Sequence, residues 1–406
     1  MPSILICNEL VTSGGLGTYT LTLAEGLIKR GWQIHFLTTN GLGDYYADMK
    51  KIAFRCHDLS SLPLSYKKLT AAVNIVNATG PDILLLNHCS LLHYSLPFIS
   101  TAIKPVSVLH NDIEPIYKVA RRYSKRIFRW IAPSKALEEH FRPHLDNDCN
   151  NRIRVIQHGV NADLFSFKGR TSISGHPRIS FVGNLDVNKG ADLLPLILEP
   201  ITQHFPDIAI TITGKGPLRS LLEKELNGKN IKAAFTDYVT GRQVAEILND
   251  TDILLLPTRV EGFGLIIVEA MLCGAVPVVS HLAGITDHII EDGVTGILVK
   301  PGNSEGFAKA VINLLNSPLS LSYISEAARA AASDKYSTDR MLDAYEKLFA
   351  EPDDRMAMPR RSTFGWIVET FADKVKTGID RQWLFNRGKE LWDRRITGKA
   401  NKTRSS

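Results

Sequence analysis

Short apolar runs alternate with helix-length amphipathic stretches from the first residues onward. Runs at 3–7, 32–38, 82–86, 106–110 and 127–131 read as strands, and stretches at 16–29, 66–79 and 134–141 read as helices between them. Strands that are apolar almost throughout, interleaved with helices, predict parallel sheets covered on both faces. The polar segment 166–177, with its glycines and proline, reads as a linker. The alternation then restarts, with strands at 178–182, 208–213, 231–235, 253–256 and 276–279. Helices are expected at 191–205, 217–226, 242–248 and 263–273, and helices alone from 304 to 349. The expected class is α/β, with two doubly wound Rossmann-like domains, 1–165 and 178–349, facing each other across a cleft. An extension covers 352–406. Open parallel sheets bind ligands beyond the carboxyl ends of their strands, so the loops that follow strands are where chemistry is expected.

Composition narrows the class. A chain of 406 residues is long enough for two cores. No apolar run approaches the roughly 20 residues of a membrane-spanning helix. The start, MPSILICNEL, has neither a basic leader nor a small-residue cleavage site, so no signal peptide is read and a cytoplasmic location is expected. Five scattered cysteines without a C-x-x-C pair suit reduced thiols. The net charge of +6 is uneven: residues 355–406 hold 13 Lys/Arg against 5 Asp/Glu, and the rest holds 35 against 37. The body is near neutral and the tail is basic.

Four loops carry candidate chemistry. Thr12-Ser13-Gly14-Gly15-Leu16-Gly17-Thr18 follows the first strand and opens a helix, whose free amides favour an anion. A tight strand-to-helix turn is the plainer reading. The spacing is not G-x-G-x-x-G and no acidic residue ends a second strand, which argues against a dinucleotide. Phe181-Val182-Gly183-Asn184-Leu185, with Lys189-Gly190 at the next helix start, suits a diphosphate; a lone lysine there also reads as a solvated surface residue. Thr213-Gly214-Lys215-Gly216-Pro217 is a second glycine loop on the same sheet edge. In the fourth loop Glu261 precedes Gly262-Phe263-Gly264, and Glu269 lies eight positions on, inside an apolar helix. A carboxylate in so apolar a run is costly to bury without hydrogen bonds, and the vicinal hydroxyls of a ribose would supply them. Each glutamate alone reads as a helix cap or a surface pair. Together with the flanking glycines they read as a ligand site.

At these residues the chain resembles the retaining GT-B glycosyltransferases of the large glycogen synthase-like, sucrose synthase-like and phosphatidylinositol mannosyltransferase-like family. The matching pieces run from residue 3 to about 349 and include SGGLGTYTLTLAEGL, VLHND, VIQHGVNADLF, FVGNLDVNKG, ITGKGPLR and EGFGLIIVEAMLCGAVPVVS. The resemblance implies transfer of a sugar from a nucleotide-diphosphate sugar with retention of configuration. It implies that Glu269 binds the donor ribose. Glu261 and the amides of Phe263, Gly264 and Leu265 would hold the donor sugar and phosphates, and Lys189 would neutralise the diphosphate. His110 would lie near the transferred sugar, although a satisfied core histidine is the alternative, and Gly15 would press against the donor. Base selection falls to the backbone around Tyr238 and Val239. No cofactor is expected beyond the nucleotide sugar, and no metal: Asp146-Asn147-Asp148 has D-x-D spacing but lies in a polar stretch. Two departures stand out. Asn184 occupies a position where the family usually carries arginine, and Ala283-Gly284-Ile285-Thr286-Asp287 replaces its Gly-Gly-x-x-Glu loop. Lys215 and Arg259 are the candidates to replace the missing charge.

The tail carries Trp366, Trp383 and Trp392, with Phe364, Ile367, Phe371, Val375 and Ile379 at helical spacing. A basic amphipathic helix suits an anionic membrane surface and hence a lipid-linked acceptor, as in lipopolysaccharide, other polysaccharide or glycolipid assembly. Packing on its own domain or on a partner is the other reading. Nucleic acid is not expected, because no recognition fold accompanies the charge. Three functions remain: an active transferase, a transferase-like binding subunit without turnover, and a sugar-nucleotide epimerase of similar plan. The glutamate pair favours transfer over the last.

Overall fold

The computed structural model describes residues 1–10, 14–41, 43–169, 176–237, 239 and 241–355. The tail from 356 onward, Thr12, Ser13, Tyr238 and linker residues 170–175 lie outside the described residues.

Two parallel sheets organise the chain. The first is built from β1 (Ser3–Asn8), β2 (Gln33–Thr38), β3 (Arg55–Asp58), β4 (Ile83–Asn87), β5 (Lys104–Val108), β6 (Arg129–Ala132) and β7 (Ile153–Val155). Its order is β3-β2-β1-β4-β5-β6-β7. The second is built from β8 (Arg178–Val182), β9 (Ala209–Thr213), β10 (Ala234–Thr236), β11 (Ile253–Leu256), β12 (Val276–Ser280) and β13 (Ile297–Val299), in the order β10-β9-β8-β11-β12-β13. Each order reverses once, between β1 and β4 and between β8 and β11. At such a switch the loops diverge and leave a crevice beyond the strand ends. The central strands ILLLN of β4 and ILLL of β11 are buried from end to end, as their unbroken apolar runs require.

The sequence missed β3, β7 and β13, each of three or four residues. β3 is an edge strand whose Arg55 and Asp58 are exposed, so it lacks an apolar run. The expected strand at 106–110 lies two residues earlier, which leaves Leu109 and His110 beyond its end. The helical run 304–349 is three helices, Ser304–Leu315, Pro318–Lys335 and Thr338–Phe349. Pro318 starts the second, and the Ser337 hydroxyl caps the third by accepting from the Arg340 amide at 3.3 Å.

One face of the first sheet packs Leu5, Leu84, Leu86 and Trp130 into a core of its own. The other face belongs to a continuous cluster that runs through Tyr19, Phe263, Tyr336 and Tyr345 into the second sheet. The last helix, Thr338–Phe349, returns to the N-terminal half. The Tyr19 and Tyr345 hydroxyls are hydrogen-bonded to each other. Arg30 reaches Asp339 at 3.0 Å and Glu346 at 2.8 Å. A Cβ on Gly26 would lie 2.5 Å from Leu342, so a residue without a side chain sets this close crossing. Beyond the helix the chain is bound at the starting ends of the first sheet's strands. Lys104 donates to the Phe349 and Glu351 carbonyls, both at 3.1 Å, and Arg129 meets Glu351 at 2.6 Å and Asp354 at 2.7 Å. Arg355 donates to the Ile103 carbonyl at 2.8 Å. All five cysteines are free thiols, and no helix among the described residues is long and apolar enough to cross a membrane.

Candidate active site

In the C-terminal half, β8 runs into Gly183-Asn184 and β9 into Gly214-Lys215-Gly216. These loops touch: a Cβ on Gly214, which has φ +142, would lie 1.9 Å from the Gly183 carbonyl oxygen. The 213–217 loop therefore braces the 183–185 loop. Lys215 itself is 57% exposed and faces Asp237 at 3.7 Å. The next turn is pinned at both ends. Asp186 accepts from the Lys189 amide at 2.9 Å, and Gly190 (φ +72) passes so close to Pro257 that a Cβ would lie 2.0 Å from its carbonyl oxygen. The Asn188 carbonyl accepts from the Arg259 amide at 2.7 Å and from the Thr258 hydroxyl at 3.0 Å. The Arg259 guanidinium grips the buried Asp192 at both oxygens, 2.7 and 2.9 Å away, and also donates to the Val187 carbonyl at 2.5 Å. It is a strap between two loops.

This frame leaves Lys189 facing Glu261, with Nζ 2.5 Å from Oε1. Gly264, in the left-handed region at φ +99, starts the helix Leu265–Leu272, and the first amides of that helix have no intrahelical acceptor. One turn further in stands Glu269. Its carboxyl is buried, has no hydrogen-bond partner among the described residues, and is pushed up to about 8 by loss of solvent.

The N-terminal half supplies the facing wall: Gly14 and Gly15 after β1, His88 after β4, His110 after β5 and His158 after β7. A Cβ on Gly262 would lie 1.9 Å from the His110 carbonyl oxygen, so only a glycine lets the glutamate loop reach the opposite wall. Tyr45 joins from beside β2, its hydroxyl 3.3 Å from the Thr18 hydroxyl. Its ionisation is pushed up by burial first and by nearby groups that include Glu269, which sets Tyr45 close to that carboxyl.

Gly15, His110, Asn184, Lys189, Glu261, Phe263, Gly264, Leu265 and Glu269 thus line one cavity of about 410 Å³ between the halves. Lys215 and Arg259, expected there, are not among its lining residues. Among the described residues Lys189 is the one Lys or Arg that lines it. Val239 lines it as well. His88, His158 and Tyr45 went unrecognised in the sequence; NHC and QHG hold histidines just past strand ends, the same signal that marked His110. Asp146 and Asp148 sit with Cys149 away from the cavity, with Asp146 accepting from the Ser124 hydroxyl at 2.9 Å and Asp148 facing Lys125 at 3.5 Å. The cavity itself offers a cation, helix-start amides and two buried carboxyls, a set suited to an anionic diphosphate that carries diols.

Comparison with known proteins agrees with this geometry. Residues 176–317 match the family model for glycosyl transferases group 1, and residues 13–164 match that for glycosyltransferase family 4. Together the two models span most of the chain, which is a glycosyltransferase. An uncharacterised glycosyltransferase of Methanocaldococcus jannaschii is 24% identical over 364 residues, covering 81% of this chain and 92% of the relative. The N-acetyl-alpha-D-glucosaminyl L-malate synthase of Bacillus anthracis is likewise 24% identical over 364 residues, covering 83% and 93%. The Anabaena protein HepE, solved with UDP and glucose, superposes with a TM-score of 0.74 at 17% identity, over 86% of this chain and 99% of that one. Two Rossmann-like sheets facing across a cleft make this glycosyltransferase a GT-B enzyme.

Proposed function

We propose that this glycosyltransferase moves a sugar from a nucleoside-diphosphate sugar to an acceptor hydroxyl with retention of configuration. One observation carries the reading: Glu261, Glu269 and Lys189 converge with the amides of Phe263, Gly264 and Leu265 on a single cavity between the halves. In the proposed complex the ribose hydroxyls donate to Glu269, which gives its buried carboxyl the partners it lacks. Lys189 turns from Glu261 to the diphosphate. Glu261 then accepts from hydroxyls of the sugar. Fixed amides and an ammonium aimed at the departing diphosphate lower the barrier to leaving-group loss. Closure of Gly262 on His110 keeps water from the donor. The acceptor attacks from the face the leaving group vacates. That HepE was solved with UDP and glucose supports a uridine nucleotide as the first donor to test.

Thermal-shift and calorimetric titration with nucleotide sugars test the reading, followed by NMR of the product's anomeric configuration. A stabilising nucleotide sugar and a product of unchanged configuration support it; an inverted product removes the stereochemical part.

Asn184, with Lys189 the one Lys or Arg lining the cavity among the described residues, supports a second reading, a subunit that binds donor without turnover. Release of free nucleotide in the presence of acceptor separates the two. For the acceptor we favour a lipid-linked saccharide at an anionic membrane, on the strength of the 13 Lys/Arg and three tryptophans in 355–406. Binding to anionic vesicles that survives removal of those residues would refute that assignment.

A further inference from the structure

The N-terminal wall of the cavity holds three imidazoles in a row. The His88 ring lies edge-on to His110 with centroids 5.0 Å apart, and His158 stacks on His110 at 5.5 Å. His110 is tied down through one nitrogen, and the hydrogen-bond chain behind it determines which. The Thr20 hydroxyl donates its one hydrogen to the Leu16 carbonyl at 2.7 Å. Its oxygen is then an acceptor for Asn87 Nδ2, 3.3 Å away. That orients the buried Asn87 amide so that Oδ1, 3.2 Å from His110 Nε2, accepts. Nε2 therefore carries the hydrogen. Nδ1 makes no hydrogen bond among the described residues and, in a neutral ring, holds a lone pair.

We infer that this wall selects a neutral, hydroxyl-bearing sugar over an acidic one, because Thr20 and Asn87 lock His110 in the tautomer whose free nitrogen accepts a hydrogen bond. The inference rests on the donor reading above and deepens it by naming the class of sugar. A sugar hydroxyl donates to such a nitrogen. A carboxylate or sulfonate has no hydrogen to give and meets a lone pair. No charge on this wall compensates. Burial pushes the His110 imidazole well below its usual range, with His88 and His158 adding to the effect, while His88 is lowered to about 4 and His158 to about 3, both chiefly by burial. No neighbouring element among the described residues presents a cation to the ring. Tyr19 presents an aromatic edge and its hydroxyl is spent on Tyr345. The loop against the His110 carbonyl follows Glu261, and once donor binding has drawn Lys189 to the diphosphate the freed carboxylate opposes an acidic sugar in the same sense. His88 Nε2 and His158 Nδ1 are buried and have no hydrogen-bond partner among the described residues. Leaving an anion unpaired here costs more than leaving a hydroxyl unpaired. Thr20 and Asn87 act through His110 and are positioning residues.

The test uses the full chain and matched donors. UDP, UDP-glucose and UDP-glucuronate are titrated calorimetrically, as are GDP, GDP-mannose and GDP-mannuronate. For the nucleotide that binds, the neutral sugar is expected to bind at least as tightly as the bare nucleotide and the uronate about tenfold or more weaker. Asn87→Asp places a carboxylate against Nε2 and gives the ring its second proton. In that variant the discrimination against the uronate shrinks as pH falls from about 8 to about 6, while in the unaltered protein it stays constant. Thr20→Val, which frees the amide to turn, weakens discrimination, and Thr20→Ser restores it. Binding of the bare nucleotide in each variant shows that the fold is intact. Equal binding of uronate and neutral sugar by the unaltered protein overturns this inference alone. So does pH-independent discrimination in an Asn87→Asp protein that binds nucleotide. Failure of every nucleotide and sugar to bind overturns the donor reading, and this inference with it.

Discussion

Lys189 and Glu261 form an ion pair of 2.5 Å, so the proposed diphosphate cation begins its work already neutralised. The Glu261 side chain is 7% exposed and that of Lys189 26%, so the pair sits at the edge of solvent. Donor binding must part them, and the ammonium gains two phosphate charges for the one it leaves. Lys189→Ala is expected to lower kcat by about 10²–10³, the scale of losing one charge-stabilising group. It also leaves Glu261 buried and unpaired, which costs roughly 1–3 kcal/mol of stability. Steady-state kinetics and chemical denaturation read the two effects separately.

Glu269 links donor affinity to pH. Its carboxyl is held near 8 against a usual 4.5 by burial. A raised carboxyl contributes stability that is fully present below 4.5 and is lost as pH rises through 8. Glu269→Gln should therefore melt higher than the unaltered protein at pH 8.5, at roughly 2–4 °C per kcal/mol regained. The gap closes toward pH 4.5. Donor binding moves the other way. A ribose diol donates to the ionised carboxylate, so affinity in the unaltered protein rises as pH approaches 8, and the substitution weakens binding and removes that rise.

Gly262 separates binding from closure. Gly262→Ala puts a methyl group 1.9 Å from the His110 carbonyl oxygen and holds the halves apart. The cation, carboxyls and amides of the C-terminal half are untouched. Nucleotide affinity is expected to change by less than about threefold while turnover falls about 10²-fold, the penalty for misplacing reacting groups by an ångström or so.

The two cations outside the cavity should behave differently from Lys189 and from each other. Arg259→Ala removes the two hydrogen bonds that Arg259 gives the buried Asp192 and is expected to cost about 2–4 kcal/mol of stability. Lys215→Ala, at an exposed pair of 3.7 Å, should change stability by less than about 0.5 kcal/mol and turnover by less than about twofold. Asn184→Arg adds a second cation to the cavity lining. If the enzyme is limited by leaving-group charge, kcat rises; an unchanged kcat assigns the limit elsewhere.

Much of the site was legible because it lies where glycine-rich loops follow apolar strands. Lys189 and Glu261 belong to such loops in one half, Glu269 to the helix that the second of them opens, and the sequence shows each stretch complete. The role of Arg259 was not legible. Its partner Asp192 is 67 residues away, and only the folded loops show that its charge is spent on a strap. Lys215 misled for a related reason: its flanking glycines are needed for contact with Gly183 and Leu185, which says nothing about where its own side chain points. His88 and His158 were missed because a single histidine after a short strand has no pattern around it. β3, β7 and β13 were missed because strands this short at a sheet's margin carry too few residues to show an apolar run.

The clamp that ends at Arg355 has a consequence for orientation. Lys104, Arg129 and Arg355 fasten the end of the described chain to the edge of the first sheet where its strands begin, whereas the cavity opens where they finish. A partner that held the enzyme at Arg355 itself would grip it by its back and leave the mouth of the cavity turned away.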